Sequence, residues 1–130
     1  MRFVPLISPA GERDALLEEY KNAYRVDRLC LGERRLYFRS GLRVFYIPYA
    51  DIRRYFRRVM RVPTKLCCGM GDLTFEHLVI CGDGGELAQI GLSGEKAARA
   101  VMARMALLAP DADAGLPPRE NAAPKEGRTP

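Results

Sequence analysis

The sequence predicts an α+β fold, and three observations carry that expectation. Apolar residues recur at every second position through Tyr24–Tyr46 and Leu73–Cys81, the period of a half-buried strand. Glycine-containing polar pairs separate these runs, as tight hairpin turns require. A helical pattern with one apolar face stands near each end, over residues 9–22 and 93–108.

The opening helix is expected over residues 9–22, with Ser8 as cap, Pro9 at the first helical position, and Leu16, Leu17, Tyr20 and Tyr24 as its apolar stripe. From Tyr24 the period shortens. Tyr24, Val26 and Cys30 alternate with polar neighbours up to a turn at Gly32–Glu33, and Leu36 and Phe38 alternate with Arg35, Tyr37 and Arg39 up to a turn at Ser40–Gly41. Leu42, Val44 and Tyr46 then alternate again. Three strands joined by short turns form an antiparallel meander. Leu73–Cys81 reads as a strand apolar enough to lie mid-sheet, and the glycines of 82–85 turn it into a partner over 86–91. The last helix, 93–108, has Ser93 as cap, Glu95 and Arg99 as an i, i+4 pair, and Ala97, Val101, Met105 and Leu108 on one face.

Ile52–Val62 is two-sided. Ile52, Tyr55, Phe56, Val59 and Met60 fit a helical stripe with Arg53, Arg54, Arg57, Arg58 and Arg61 opposite, whereas the β-branched and aromatic content and Pro63 favour a strand.

The succession Gly32, Glu33, Arg35, Leu36, Tyr37, Phe38, then Gly41, then Ile47, Pro48, Tyr49 and Ile52 resembles the pattern of bacterial PH-like, or GRAM-like, domains. The resemblance covers roughly residues 24–108. It implies a bent antiparallel sheet or partly open barrel of six to seven strands closed by a C-terminal helix, to which this chain adds an N-terminal helix. It also implies that 52–62 is a strand, with Ile52, Phe56 and Met60 inward and Arg53, Tyr55, Arg57 and Arg61 outward. Strict alternation then turns Arg54 and Arg58 inward, and a bulge or open sheet end is expected to let them reach water or an acid such as Asp51. The chain divides into an N-terminal extension with its helix (1–23), a PH-like domain (24–109) and a disordered tail (110–130). That tail holds five of the nine prolines and one large aliphatic residue, too little apolar surface to offset its ordering entropy. Truncation after Ala109 is therefore expected to leave stability unchanged.

With 130 residues, 48% apolar and 28% charged, the composition is that of one globular domain. No run approaches the roughly 20 apolar residues of a membrane helix. The N-terminal stretch, interrupted by Pro5, makes a poor signal peptide, so the chain is read as cytoplasmic, with Cys30, Cys67, Cys68 and Cys81 as reduced, mostly buried thiols. Adjacent Cys67 and Cys68 could both ligate a metal only from a turn. The one histidine, His77, lies within a strand without a nucleophile signature around it. Glu18 and Glu19 are read as a solvent-facing pair on a helix, and the glycines of 69–71 and 82–85 lack the lysine and hydroxyl of a phosphate loop. No catalytic residue, cofactor or metal site is expected.

The charge is uneven: residues 24–65 hold twelve basic and three acidic groups. Arg53, Arg54, Arg57, Arg58, Arg61 and Lys65 form the candidate partner surface. The resemblance implies a non-catalytic interaction module that takes a protein or peptide partner, by strand addition between the terminal helix and an open sheet edge. The alternative is an anionic-surface binder, membrane or nucleic acid, working through Arg53–Lys65. Homo-oligomerisation is compatible with either.

Overall fold

The structure, a computed structural model, describes residues 2–9, 11–63 and 72–115. Among these, the elements run β1 (Arg2–Pro5), α1 (Arg13–Lys21), β2 (Tyr24–Val26), β3 (Leu29–Leu31), β4 (Arg35–Ser40), β5 (Arg43–Pro48), β6 (Arg54–Pro63), β7 (Asp72–Gly82), β8 (Gly85–Leu92), α2 (Glu95–Leu108) and β9 (Asp113–Ala114). A single 3-10 turn, Tyr49–Asp51, links β5 to β6. The strands form two sheets, ordered β1-β5-β4-β3-β2 and β8-β7-β6-β9. The fold is α+β, as the pattern predicts. It is two separate sheets, not a closed barrel, and each carries one parallel pair, β1 with β5 and β6 with β9.

The first sheet is buried on both faces. Leu29, Leu31, Leu36 and Ile47 pack towards the second sheet's Tyr55, Leu78, Ile80 and Ile90, together with Val101 and Met105 of α2. Cys30, Tyr37, Val44 and Tyr46 face the other way, under Leu16 and Tyr20 of α1 and Phe3 of β1. This is why β4 does not bury every second residue: Leu36 and Tyr37 are both fully enclosed. Phe3, Tyr20 and Tyr37 meet edge to face at centroid distances of 5.6–6.0 Å, contacts each worth about 1 kcal/mol beyond their area.

A single carboxylate seats α1. Glu19 accepts the Tyr37 hydroxyl at 2.6 Å and the Arg35 guanidinium at 2.6 Å through Oε1, and the backbone N–H groups of Arg34 and Arg35 through Oε2. Far from facing solvent, its side chain is 12% exposed. Burial pushes its pKa up, but these bonds outweigh burial and hold it below the ordinary carboxylate value. The same burial, with the bond to Glu19, raises the Tyr37 phenol. Gly32 makes the approach possible, since a Cβ there would lie 2.6 Å from Glu19 Cγ. On the other face of the same turn the Tyr49 hydroxyl donates to the Gly32 carbonyl at 2.7 Å.

Several boundaries differ from the sequence reading. Tyr24–Cys30 is a hairpin, not one strand: β2 and β3 are joined at Asp27, whose φ of 57° is a left-handed conformation that aspartate tolerates. Its carboxylate accepts the Ser93 N–H at 2.8 Å. Ser93 therefore precedes α2 as a tether and does not cap it; Gly94 occupies the cap position. Nor does Ser8 cap α1, which starts at Arg13 behind Glu12, because residues 2–5 are first drawn into the sheet beside β5. The β4–β5 turn falls at Gly41–Leu42, one residue later than expected, with Gly41 at φ 66°. α2 buries Ala98, Val101 and Met105, with Glu95 and Arg99 paired on its surface as expected.

The ends are part of the fold. β1 is an edge strand of the first sheet, and α1 covers its outer core. Beyond residue 109, the Asp113 N–H donates to the Arg53 carbonyl and the Gly115 N–H to the Tyr55 carbonyl, each at 2.9 Å. Residues 116–130 of the expected tail lie outside the described residues.

Truncation after Ala109 is now expected to destabilise the protein. Losing two backbone bonds worth about 1 kcal/mol each should lower Tm by several degrees in a thermal scan; an unchanged Tm would show that β9 contributes nothing. Acid should also act through Glu19. Because its folded pKa is lowered, its stabilisation is present above the ordinary carboxylate value of about 4.3 and is lost as pH falls through the lower folded value. Denaturant titrations at successive pH values should show Glu19→Gln less stable at neutral pH and less sensitive to acid than the native chain.

Candidate interaction surfaces

The arginine-rich segment is strand β6, paired along its whole length with β7 from Arg54↔Cys81 to Pro63↔Asp72. Ile52 and Phe56 are buried and Arg53 and Arg61 exposed, as expected. Two positions go the other way. Tyr55 is 2% exposed and belongs to the core between the sheets, while Met60 is 44% exposed. The reason is that Tyr55 shares its face with Leu78 and Ile80, which look into the core. Phe56 lies on the opposite face, enclosed in part by the Arg58 guanidinium 5.4 Å from its ring centroid.

Four of the six candidate cations lie beside acids. Arg53 Nε reaches Asp83 at 2.8 Å, Arg54 reaches Asp113 at 3.4 Å, Arg57 reaches Glu76 at 2.6 Å and Arg58 reaches Glu86 at 3.2 Å. Arg58 also donates to Gln89 Oε1 at 2.6 Å. Arg54 and Arg58 thus reach acids as expected, but acids on β9 and β8, not Asp51. Arg53, Arg54 and Arg58 line one shallow recess of about 480 Å³ with Asp83, Glu86 and Asp113. Arg57 points to the opposite face. Arg61 is exposed, and Lys65 lies outside the described residues. These acids are distant in sequence, so a run with no acid between its arginines becomes a largely neutralised surface.

Arg57 is more than a surface residue. Its Nε and Nη2 grip both oxygens of Glu76, at 2.6 and 3.1 Å. Glu76 is 6% exposed. The Arg57 bond overcomes burial and holds the Glu76 carboxyl below its ordinary pKa.

The other sequence candidates gain no chemistry among the described residues. Cys30 is buried, its sulfur accepting Arg25 Nη1 at 3.0 Å, and burial raises its thiol pKa, the reverse of a reactive cysteine. Cys81 is half-buried on β7. His77 sits opposite Arg58 in register, its buried Nδ1 without a hydrogen-bond partner. Among the described residues, no three His, Cys, Asp or Glu side chains converge in a metal-binding arrangement. Cys67, Cys68 and the glycines of 69–71 fall outside the described residues.

The sequence reading missed one feature and left a second, the open sheet edge, unplaced. A cleft of about 960 Å³ opens between α1, the Gly32–Arg35 turn and the end of α2, where Arg104 stacks over Tyr24 at 4.1 Å. And among the described residues β6 is only partly covered on the side away from β7: β9 pairs with Arg54 and Tyr55 alone. By the two-residue repeat of a strand, the backbone groups of Arg57, Val59 and Arg61 point to that same edge. Compared with known proteins, the chain matches no family model, no curated protein and no solved structure. No helix among the described residues is long and apolar enough to cross a membrane.

Arg57→Leu is expected to cost about 2 kcal/mol, because it strands a buried carboxylate. The double variant Arg57→Leu/Glu76→Leu should recover most of that loss, and Arg53→Ala should stay within about 0.5 kcal/mol. Chemical denaturation of the three variants measures this, and equal costs for Arg57→Leu and Arg53→Ala would contradict it.

Proposed function

We propose that the chain is a non-catalytic, PH-like interaction module of the cytoplasm that binds an extended peptide by adding it as a strand along β6. The observation that carries this reading is the edge of β6 beyond Tyr55, which is open among the described residues. The same edge already accepts a parallel strand, Asp113–Ala114, from the chain itself, so its backbone groups are presented for pairing. α2 packs close by against β6 and β7. The side chain of Val59, 47% exposed, offers apolar contact, and Arg61 favours acidic residues in the incoming strand. The PH-like assignment draws on the residue pattern from Gly32 to Ile52 and on a terminal helix packed over the core of two strand layers. An anionic partner bound through Arg53–Lys65 is the weaker reading, since Arg53, Arg54, Arg57 and Arg58 are each already beside a carboxylate.

Selection of extended peptides from a random displayed library tests the proposal. Selected peptides should protect the amides of Arg57, Val59 and Arg61 from hydrogen exchange and bind with little loss between about 50 and 200 mM salt, a range over which a phosphate-rich partner weakens steeply. Val59→Pro, which removes one edge donor, should abolish binding. Peptides that protect a different surface, or that bind Val59→Pro as well as the native chain, would rule strand addition out.

A further inference from the structure

The strand that pairs with the β6 edge ends after two residues, and its backbone shows how. β9 enters parallel to β6, with Asp113 opposite Arg54 and Ala114 opposite Tyr55. The Asp113 N–H donates to the Arg53 carbonyl and the Gly115 N–H to the Tyr55 carbonyl, each at 2.9 Å. There the ladder ends. The next bond of a parallel pair would run from the Arg57 N–H to the Gly115 carbonyl; it is not made, and that carbonyl accepts Arg54 Nη1 at 3.5 Å. At Gly115 φ is 123°, far from the extended region and open in practice to glycine alone. A Cβ at Gly115 would meet no atom within 4 Å, so glycine serves the bend of the backbone there and not a shortage of space.

The residues that follow oppose pairing as well. Residues 116–120 read Leu-Pro-Pro-Arg-Glu. At the register of β9 they would stand opposite residues 57–61, the stretch of edge that is open among the described residues. Asp113 and Gly115 supply the donors of the ladder, so by the two-residue repeat the next donor required is that of residue 117. This residue is Pro117, which has no N–H, and Pro118 follows it. Proline commonly protects a sheet edge from an incoming strand. Here it lies on the chain's own incoming strand, and the edge itself is spared.

We propose that Gly115, Pro117 and Pro118 form a stop that keeps the chain's own C-terminal residues off β6 beyond Tyr55. That the stop leaves a site to a partner rests on the strand-addition reading; the stop itself rests on β9 and the sequence after it. Without it, residues 116–120 would compete for the edge from the same chain, at the high effective concentration of a short tether.

The variant Gly115→Val/Pro117→Val/Pro118→Val, made in the full chain, removes the stop. Amide exchange followed by NMR should be about tenfold slower at Arg57, Val59 and Arg61 than in the native chain, the factor for an edge closed about nine-tenths of the time. A library-selected peptide that protects these amides in the native chain should bind the variant about tenfold more weakly. Protection should not depend on protein concentration. The native sequence truncated after Gly115 should exchange at these amides, and bind the peptide, as the full chain does. The stop is overturned if the valine variant exchanges as the native chain does, or if its protection appears only on concentrating the protein. It is equally overturned if truncation speeds exchange, because the native residues after Gly115 would then already cover the edge. A native chain that takes no peptide, beside a valine variant that gains protection, would overturn strand addition of a partner and still support the stop.

Discussion

The Glu19 carboxylate is the contact on which the arrangement of layers depends. It takes donors from the Arg34 and Arg35 backbone, the Arg35 guanidinium and the Tyr37 hydroxyl, so one side chain joins α1 to both the turn and the face of the first sheet. Tyr49 holds the same turn from the inner side through the Gly32 carbonyl. A sheet held in this way can bury aromatic residues on both faces. Tyr37 and Tyr46 lie under α1 while Leu36 and Ile47 lie between the sheets. A buried phenol and carboxylate are costly unless they satisfy each other, and here each is the other's partner.

β6 plays the corresponding part in the second sheet. It spans ten residues, pairs with β7 throughout and with β9 over two residues, and turns Tyr55 and Arg57 to one face and Phe56 and Arg58 to the other. Its arginines act mainly as covers and ties: Arg58 lies over Phe56, Arg57 neutralises Glu76, and Arg54 meets Asp113 of β9. Arginine suits this use because its stem covers apolar surface while its planar head pairs with carboxylates. Among the described residues the backbone edge of the strand is uncovered beyond Tyr55.

The candidate site was legible only in part. The arginine run and its strand character follow from residue types and from the Gly32–Ile52 pattern, but partner acids at Glu76, Asp83, Glu86 and Asp113 lie 19 to 59 residues away along the chain, and no local pattern pairs them. Glu19 is the sharpest case. Beside Glu18 it has the look of a solvated helix pair, and nothing nearby in sequence announces Tyr37 as its partner. Phe56 could be assigned to the interior by alternation; Tyr55 could not, because alternation forbids both neighbours from sharing one face and the second face is closed by arginine, not by another layer.

The sequence by itself determined most element types: two helices from their apolar stripes, the β4–β5 and β7–β8 hairpins from period-two runs and their turn residues, and β7 as an interior strand from its apolar content. These are local consequences of backbone geometry and of which side chains each period exposes. Tertiary structure alone decided that the strands divide into two sheets, that Arg2–Pro5 and Asp113–Ala114 are strands at all, and which charges meet. Four- and two-residue strands have no periodicity to read, since they exist only where a partner edge supplies their hydrogen bonds. Charge pairing is likewise a property of proximity in space, which the order of residues along the chain does not contain.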